Sequence, residues 1–273
     1  MRKHRVAHRA RVAAAACTAL AFLAACGSQS TAPSNSGTFF GPSQPVGNGT
    51  VKTYVTVDEA GAPTEVGLRL TRSALDDLPQ DTGLGQTLML DFPDQAAGTA
   101  FDHVMMNWNA HGHEPEPLFG KPHFDFHFDM VDMATIEGID PNNSDYAAKA
   151  ERLPETKYLP QDYVLPPGPP AAVQAVPGMG VHLVDGSDTS LVPGTYDFEQ
   201  IVISGAWDGR YTFIEPMITR DWLLTQPTSE QPLKQPQAYQ KSAYYPTTYT
   251  VSVDEQTQDY VVSLAGLTMR QAS

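Results

Sequence analysis

The chain has 273 residues and carries 31 Asp and Glu against 17 Lys and Arg, a formal net charge of −14. An acidic surface of this kind repels phosphate backbones, which argues against nucleic acid and suits divalent cations or cationic partners better. Both cysteines, Cys17 and Cys26, fall near the start, so the rest of the chain has no disulfide, thiolate ligand or cysteine nucleophile, and any metal there must be held by nitrogen and oxygen.

Arg2, Lys3, Arg5, Arg9 and Arg11 form a basic start, and residues 12–25 are an apolar run. The run is too short for a permanent membrane span and ends in small residues, the pattern of an export signal. Leu23-Ala24-Ala25-Cys26-Gly27 resembles the lipobox of bacterial lipoproteins. That resemblance implies cleavage after residue 25, lipid on the Cys26 sulfur, and attachment to a membrane surface without a spanning helix. Loss of residues 1–25 leaves 12 Lys and Arg against 31 Asp and Glu, a charge of −19. Residues 26–50, rich in Ser, Gly, Pro, Thr and Asn, predict a flexible tether. One ordered domain is expected over 51–273, long enough to build a core without disulfides.

Residues 51–57 and 65–70 predict two strands around a loop at Asp58-Glu59-Ala60-Gly61. Val251-Ser252-Val253-Asp254-Glu255 parallels Val55-Thr56-Val57-Asp58-Glu59, which predicts two counterpart hairpins in one sheet system. Residues 86–92 read as a strand. Ala97, Phe101, Val104, Met105 and Trp108 then form an apolar stripe at helical spacing, which predicts a helix over 95–109. Residues 109–121 are a polar loop containing His111 and His113-Glu114-Pro115.

Pro122-His123-Phe124-Asp125-Phe126-His127-Phe128-Asp129 is the most telling stretch. In a strand successive side chains point to opposite faces. One face therefore carries Phe124, Phe126 and Phe128, the other His123, Asp125, His127 and Asp129. A change of apolar phase after Met130 predicts a bulge. Residues 143–151 predict a short helix. The Pro-rich segment 154–177 belongs on the surface, since proline cannot sit within a sheet. Asp208-Gly209 between two apolar runs is a hairpin turn. The expected class is α+β, mainly antiparallel and barrel-like, with one or two packed helices.

Six of the eight histidines lie beyond the export signal. His123 and His127 are about 13 Å apart along a straight strand, whereas Asp125 is about 6.6 Å from each, which suits a shared site completed from elsewhere. His182, after Gly178 and Gly180, is the best remote candidate. His113, Glu114 and Glu215 follow, the last because a carboxylate beside aromatics needs a partner. The metal expected on this reading is divalent zinc, copper, iron or manganese, and nearby methionines favour copper only weakly. The bland alternatives are a solvated strand face, Glu215 paired with Arg210 or Arg220, His182 bonded to a backbone carbonyl, and His103 structural on its helix. No phosphate-binding Gly-rich loop, G-x-S-x-G elbow or H-E-x-x-H helix occurs in the sequence.

Asp102-His103-Val104, Gly112-His113-Glu114-Pro115, the His/Phe strand, Val176-Pro177-Gly178-Met179-Gly180-Val181-His182 and Glu215-Pro216-Met217-Ile218-Thr219 together resemble a bacterial exported domain family, the TTHB-like family of unknown function. The resemblance runs over about residues 51–270. It implies an extracytoplasmic β-rich domain and carries no assigned reaction or ligand set. Three functions stay open: a lipid-anchored metal-binding domain, a non-catalytic envelope interaction or assembly module, and a metal-dependent hydrolase or oxygenase. A homo-oligomer is compatible with each, and no small-molecule or protein ligand is specified.

Overall fold

Antiparallel pairing between distant segments organises the chain into two seven-stranded sheets in a computed structural model that describes residues 36–80 and 86–273. The first sheet contains β1 (Gly37–Phe40), β2 (Gln44–Val46), β3 (Gly49–Val57), β4 (Pro63–Leu70), β12 (Ser229–Pro232), β14 (Thr248–Val253) and β15 (Tyr260–Ala265). Its order is β1-β3-β4-β15-β14-β12, with β2 also on β3. The second contains β5 (Gln86–Asp91), β6 (His103–Asn109), β7 (His123–Asp129), β8 (Tyr163–Val164), β9 (Val181–Asp185), β10 (Gln200–Trp207) and β11 (Arg210–Thr219), in the order β5-β6-β7-β11-β10-β9-β8. A two-stranded pair, β13 (Ala243–Tyr245) and β16 (Thr268–Arg270), stands apart.

The expected hairpins are counterparts in space. β4 pairs with β15, so β3–β4 and β14–β15 lie side by side in one sheet. Their shared five-residue pattern has a local cause. Asp58 Oδ1 accepts from the Ala60 and Ala62 amides, and Asp254 Oδ1 from Gln256 and Thr257, so each Asp ends a strand by tying down its own turn.

Three expectations need correction. The sheets are open: β1 and β12 end one, β5 and β8 the other, so the barrel-like form is not realised. Residues 37–50 are not tether but β1, β2 and the start of β3; a composition typical of linkers pairs here because β3 offers it an edge. The helix over 95–109 is absent. A single 3-10 turn at Asp94–Ala96 is followed by β6, flanked on both sides by β5 and β7. Tertiary pairing overrides an apolar stripe that fitted helical spacing, and burial of both faces of β6 hides its period of two. The export signal and Cys26 lie outside the described residues.

Helices are short: α1 (Glu116–Phe119), α2 (Met133–Glu137), α3 (Tyr146–Glu151), α4 (Ala171–Gln174) and α5 (Arg220–Leu224). The second of the two sheet faces that meet in the main core is laid by β7. Phe124, Phe126 and Phe128 pack with Val104, Met106, Trp108 and Ile218 against Val55, Leu68, Val251 and Val262 of the first sheet. Each phenylalanine, fully buried, contributes about 1.5–3 kcal/mol by leaving water. β7 is thereby fixed rigidly, and its other face with it. Met130, where a bulge was expected, is where β7 has ended; its amide donates to the Thr212 carbonyl. The Pro-rich segment reaches the sheet only as β8, an edge strand. Among the described residues no helix is long and apolar enough to cross a membrane.

Candidate metal centre

Register decides which polar side chains meet. On β6, His103, Met105, Asn107 and Asn109 stand opposite Asp129, His127, Asp125 and His123. On β11, Ile214 faces Phe128 and Met217 faces Asp125, and an unbroken count between them puts Glu215 across from His127. β10 and β9 extend the rows, with Gly205 beside Phe213 and His182 beside Gly205. The His, Asp, Asn and Glu side chains of these rows share the face of the second sheet that points away from the main core, opposite Phe128 and Ile214.

That face is not solvated. His103, Asn107, His123, Asp125, His127, Asp129 and Glu215 are all buried. Phe119 and Phe198 close over the His123 end, their rings 5.3 Å apart and the Phe198 ring 5.1 Å from His123. Buried polar groups must be paired or coordinated, so a surface reading of the motif fails.

Two groups of ligand type result, each with all ligand atoms within 4.8 Å of one another: His127, His182 and Glu215, and His113, His123 and Asp125. In the first, His127 Nε2 lies 3.4 Å from His182 Nε2 and 3.3 Å from Glu215 Oε1, and His182 Nε2 lies 3.6 Å from Glu215 Oε2. Phe213 sets both imidazoles, its ring 4.7 Å from His127 and 5.1 Å from His182. Burial keeps both histidines neutral, lowering His127 and pulling His182 down to about 3. Burial also raises Glu215, helped by the charges of Asp125 and Asp129. Among the described residues Glu215 Oε2, a buried carboxyl oxygen, has no hydrogen-bond partner. Three side chains of ligand type thus converge, with no Lys or Arg among the described residues paired to Glu215.

In the second group His123 Nε2 is 3.0 Å from Asp125 Oδ1 and His113 Nε2 is 3.4 Å from Asp125 Oδ2. Asn109 Nδ2 donates to Asp125 Oδ2 at 2.7 Å. Both Nδ1 atoms face backbone carbonyls, His113 that of Glu114 at 2.8 Å and His123 that of Lys121 at 2.6 Å. A carbonyl only accepts, so each Nδ1 carries a proton. Burial pushes the Asp125 carboxyl up, yet the imidazoles of His113 and His123 beside it outweigh that and hold it well below the usual range.

Residues 58–108 match the model of the TTHB210-like family, described as hypothetical protein TTHB210. That stretch contains β4, β5 and nearly all of β6, and among the histidines only His103. No curated protein and no solved structure matches the chain. The similarity is therefore to a domain of unknown function and brings no ligand set.

The expected single cage around His123, Asp125, His127, His182, His113 and Glu215 is thus two neighbouring groups that share no residue. Glu114 belongs to neither; its Oε2 accepts from the Glu116 amide. Glu215 is not bound to Arg220, whose Nε donates to the Leu75 carbonyl. The sequence reading missed a third contact set. His103 Nδ1 lies 3.0 Å from Asp102 Oδ1 and Nε2 lies 3.3 Å from Asp129 Oδ2. The even-numbered spacing of the polar residues His103, Asn107 and Asn109 was the one available signal, masked by the helical stripe.

Proposed function

We propose that this is an exported, lipid-anchored domain that binds a divalent transition metal through His127, His182 and Glu215. The observation that carries the reading is the set of 3.3, 3.4 and 3.6 Å separations among His127 Nε2, His182 Nε2 and the Glu215 oxygens. Zinc bonds of 2.0–2.1 Å in a tetrahedron place neighbouring ligand atoms about 3.3–3.4 Å apart, so the group fits an ion with little movement. Neutral imidazoles and a carboxylate are a donor set for zinc, iron, manganese or copper. The ion would supply the positive charge that the buried carboxylate lacks. An acidic mature chain attracts cations to the surface, and lipid on Cys26 would hold it at the membrane.

Three protein ligands leave a coordination position for water or substrate, as in catalytic two-histidine, one-carboxylate zinc sites. That count favours a metal-dependent hydrolase or oxygenase as the second reading. Elemental analysis of the natively purified chain tests the first. Stoichiometric metal in the wild type, reduced by one equivalent in His182→Ala and in His127→Ala, is expected. A metal-free wild type whose melting temperature does not respond to zinc, copper, iron or manganese would overturn it.

A further inference from the structure

We propose that His113, His123 and Asp125 form a second, separate divalent-metal site whose ligand His113 is brought in by the loop between β6 and β7. The inference rests on the reading above only in treating this sheet face as cation-binding, because the two ligand sets have no residue in common.

Asp125 is the anchor. It is 4 % exposed, its Oδ1 has no hydrogen-bond partner among the described residues, and both its oxygens face imidazole Nε2 atoms. With each Nδ1 committed to a backbone carbonyl, those Nε2 atoms meet the carboxylate either as N–H donors or as bare lone pairs. In the second state two nitrogens and two oxygens surround one point. The Asn109 amide beside them, 2.7 Å from Asp125 Oδ2 and 3.4 Å from His123 Nε2, is a neutral donor, and a cation at that point would offset the carboxylate charge. Outer-sphere bonds from Nδ1 to a carbonyl, and from Asn109 to the carboxylate, are the supports that orient ligands around a metal.

The loop makes the site exchangeable. Gly112 sits at φ +69°, and a Cβ there would lie 2.2 Å from the Phe119 carbonyl oxygen, so the tight turn that delivers His113 needs glycine. The His113 amide donates back to that same carbonyl at 3.1 Å. His113 is itself 38 % exposed at the side chain, against 0 % for His123. One ligand therefore lies at the solvent boundary while the other two are fixed on the sheet. Entry and release of the ion need only the loop to move, and β7 stays in place.

Cobalt(II) titration of the metal-free full chain, read by visible absorption and by bound equivalents, separates the possibilities. The wild type should take two equivalents. His113→Ala and Asp125→Asn should each take one, with the absorption of the His127 site retained, and His182→Ala should also take one. Circular dichroism melts of His113→Ala should follow the wild type, since more than a third of that side chain is exposed. One equivalent in the wild type, unchanged by His113→Ala, would overturn the second site and leave the first. Two equivalents retained in both His113→Ala and Asp125→Asn would overturn the assignment of these ligands. No binding at all would remove both proposals.

Discussion

Gly205→Ala should loosen the fold and the His127 site together, because the absence of a Cβ at 205 is what admits the Phe213 ring. A Cβ built there lies 2.2 Å from Phe213 Cδ1 and Cε1 and 2.5 Å from Cγ, whereas ordinary contact begins at 3.4 Å. The ring would have to retreat by about 1.2 Å, the difference between those two distances. Phe213 is fully buried and its ring sets His127 and His182, so the retreat is transmitted to both imidazoles. Overpacking of this kind costs about 1–3 kcal/mol. Urea unfolding should show a midpoint lower by roughly 1 M with the slope unchanged, since a slope is about 1–3 kcal/mol per molar. Metal sites tolerate displacements of about 0.5 Å, so affinity at the His127 site should fall at least about tenfold, the scale seen when supports of a ligand are removed. Adding Phe213→Leu to Gly205→Ala removes the clash, and the double variant should be more stable than the sum of the two single effects. A Gly205→Ala chain with wild-type midpoint and wild-type affinity would refute the packing argument.

His182 should stay neutral at pH 5 in the metal-free chain, where an exposed imidazole is protonated. Its folded value is pulled down to about 3 by burial and then by the neighbouring His127, so the unfolded chain takes the proton first. The His182 contribution to stability is therefore complete above about pH 6.5 and is lost as pH falls from there toward 3; imidazole nitrogen shifts titrating near 6.5 would contradict this. Gly209→Ala should cost about 1–2 kcal/mol, because φ is +76° there and the added Cβ has room, 3.8 Å from Arg152. A melting temperature lower by about 2–4 °C per kcal/mol is expected, and an unchanged one would count against a turn with left-handed residues at both Asp208 and Gly209. Cys26→Ser should move the chain from the membrane fraction to the soluble fraction; unchanged membrane association would remove the lipid anchor from the account.

β7 was legible because its period of two is unbroken from His123 to Asp129 and each class of residue is chemically uniform. The turn at Asp208-Gly209 was legible because few residues adopt positive φ at two successive positions. β6 was not: Met105 and Met106 are both buried, and a strand covered on both faces loses its alternation. Division of the site into two groups was beyond sequence reasoning for a different cause. It depends on the offset between β7 and β11, strands some 80 residues apart whose pairing puts Glu215 rather than Met217 across from His127. A shift of one residue would have turned Glu215 into the main core. Burial of the His/Asp face was equally hidden, since Phe119 and Phe198, which cover its His123 end, come from segments with no pattern of their own.

Anomalous diffraction from crystals grown with zinc tests the central assignment most directly. A peak is expected within about 2.0–2.2 Å of His127 Nε2, His182 Nε2 and a Glu215 oxygen, the ordinary range for zinc with these donors. Crystals of zinc-saturated protein with no peak between those three side chains, and with the imidazoles hydrogen-bonded directly to Glu215, would contradict it.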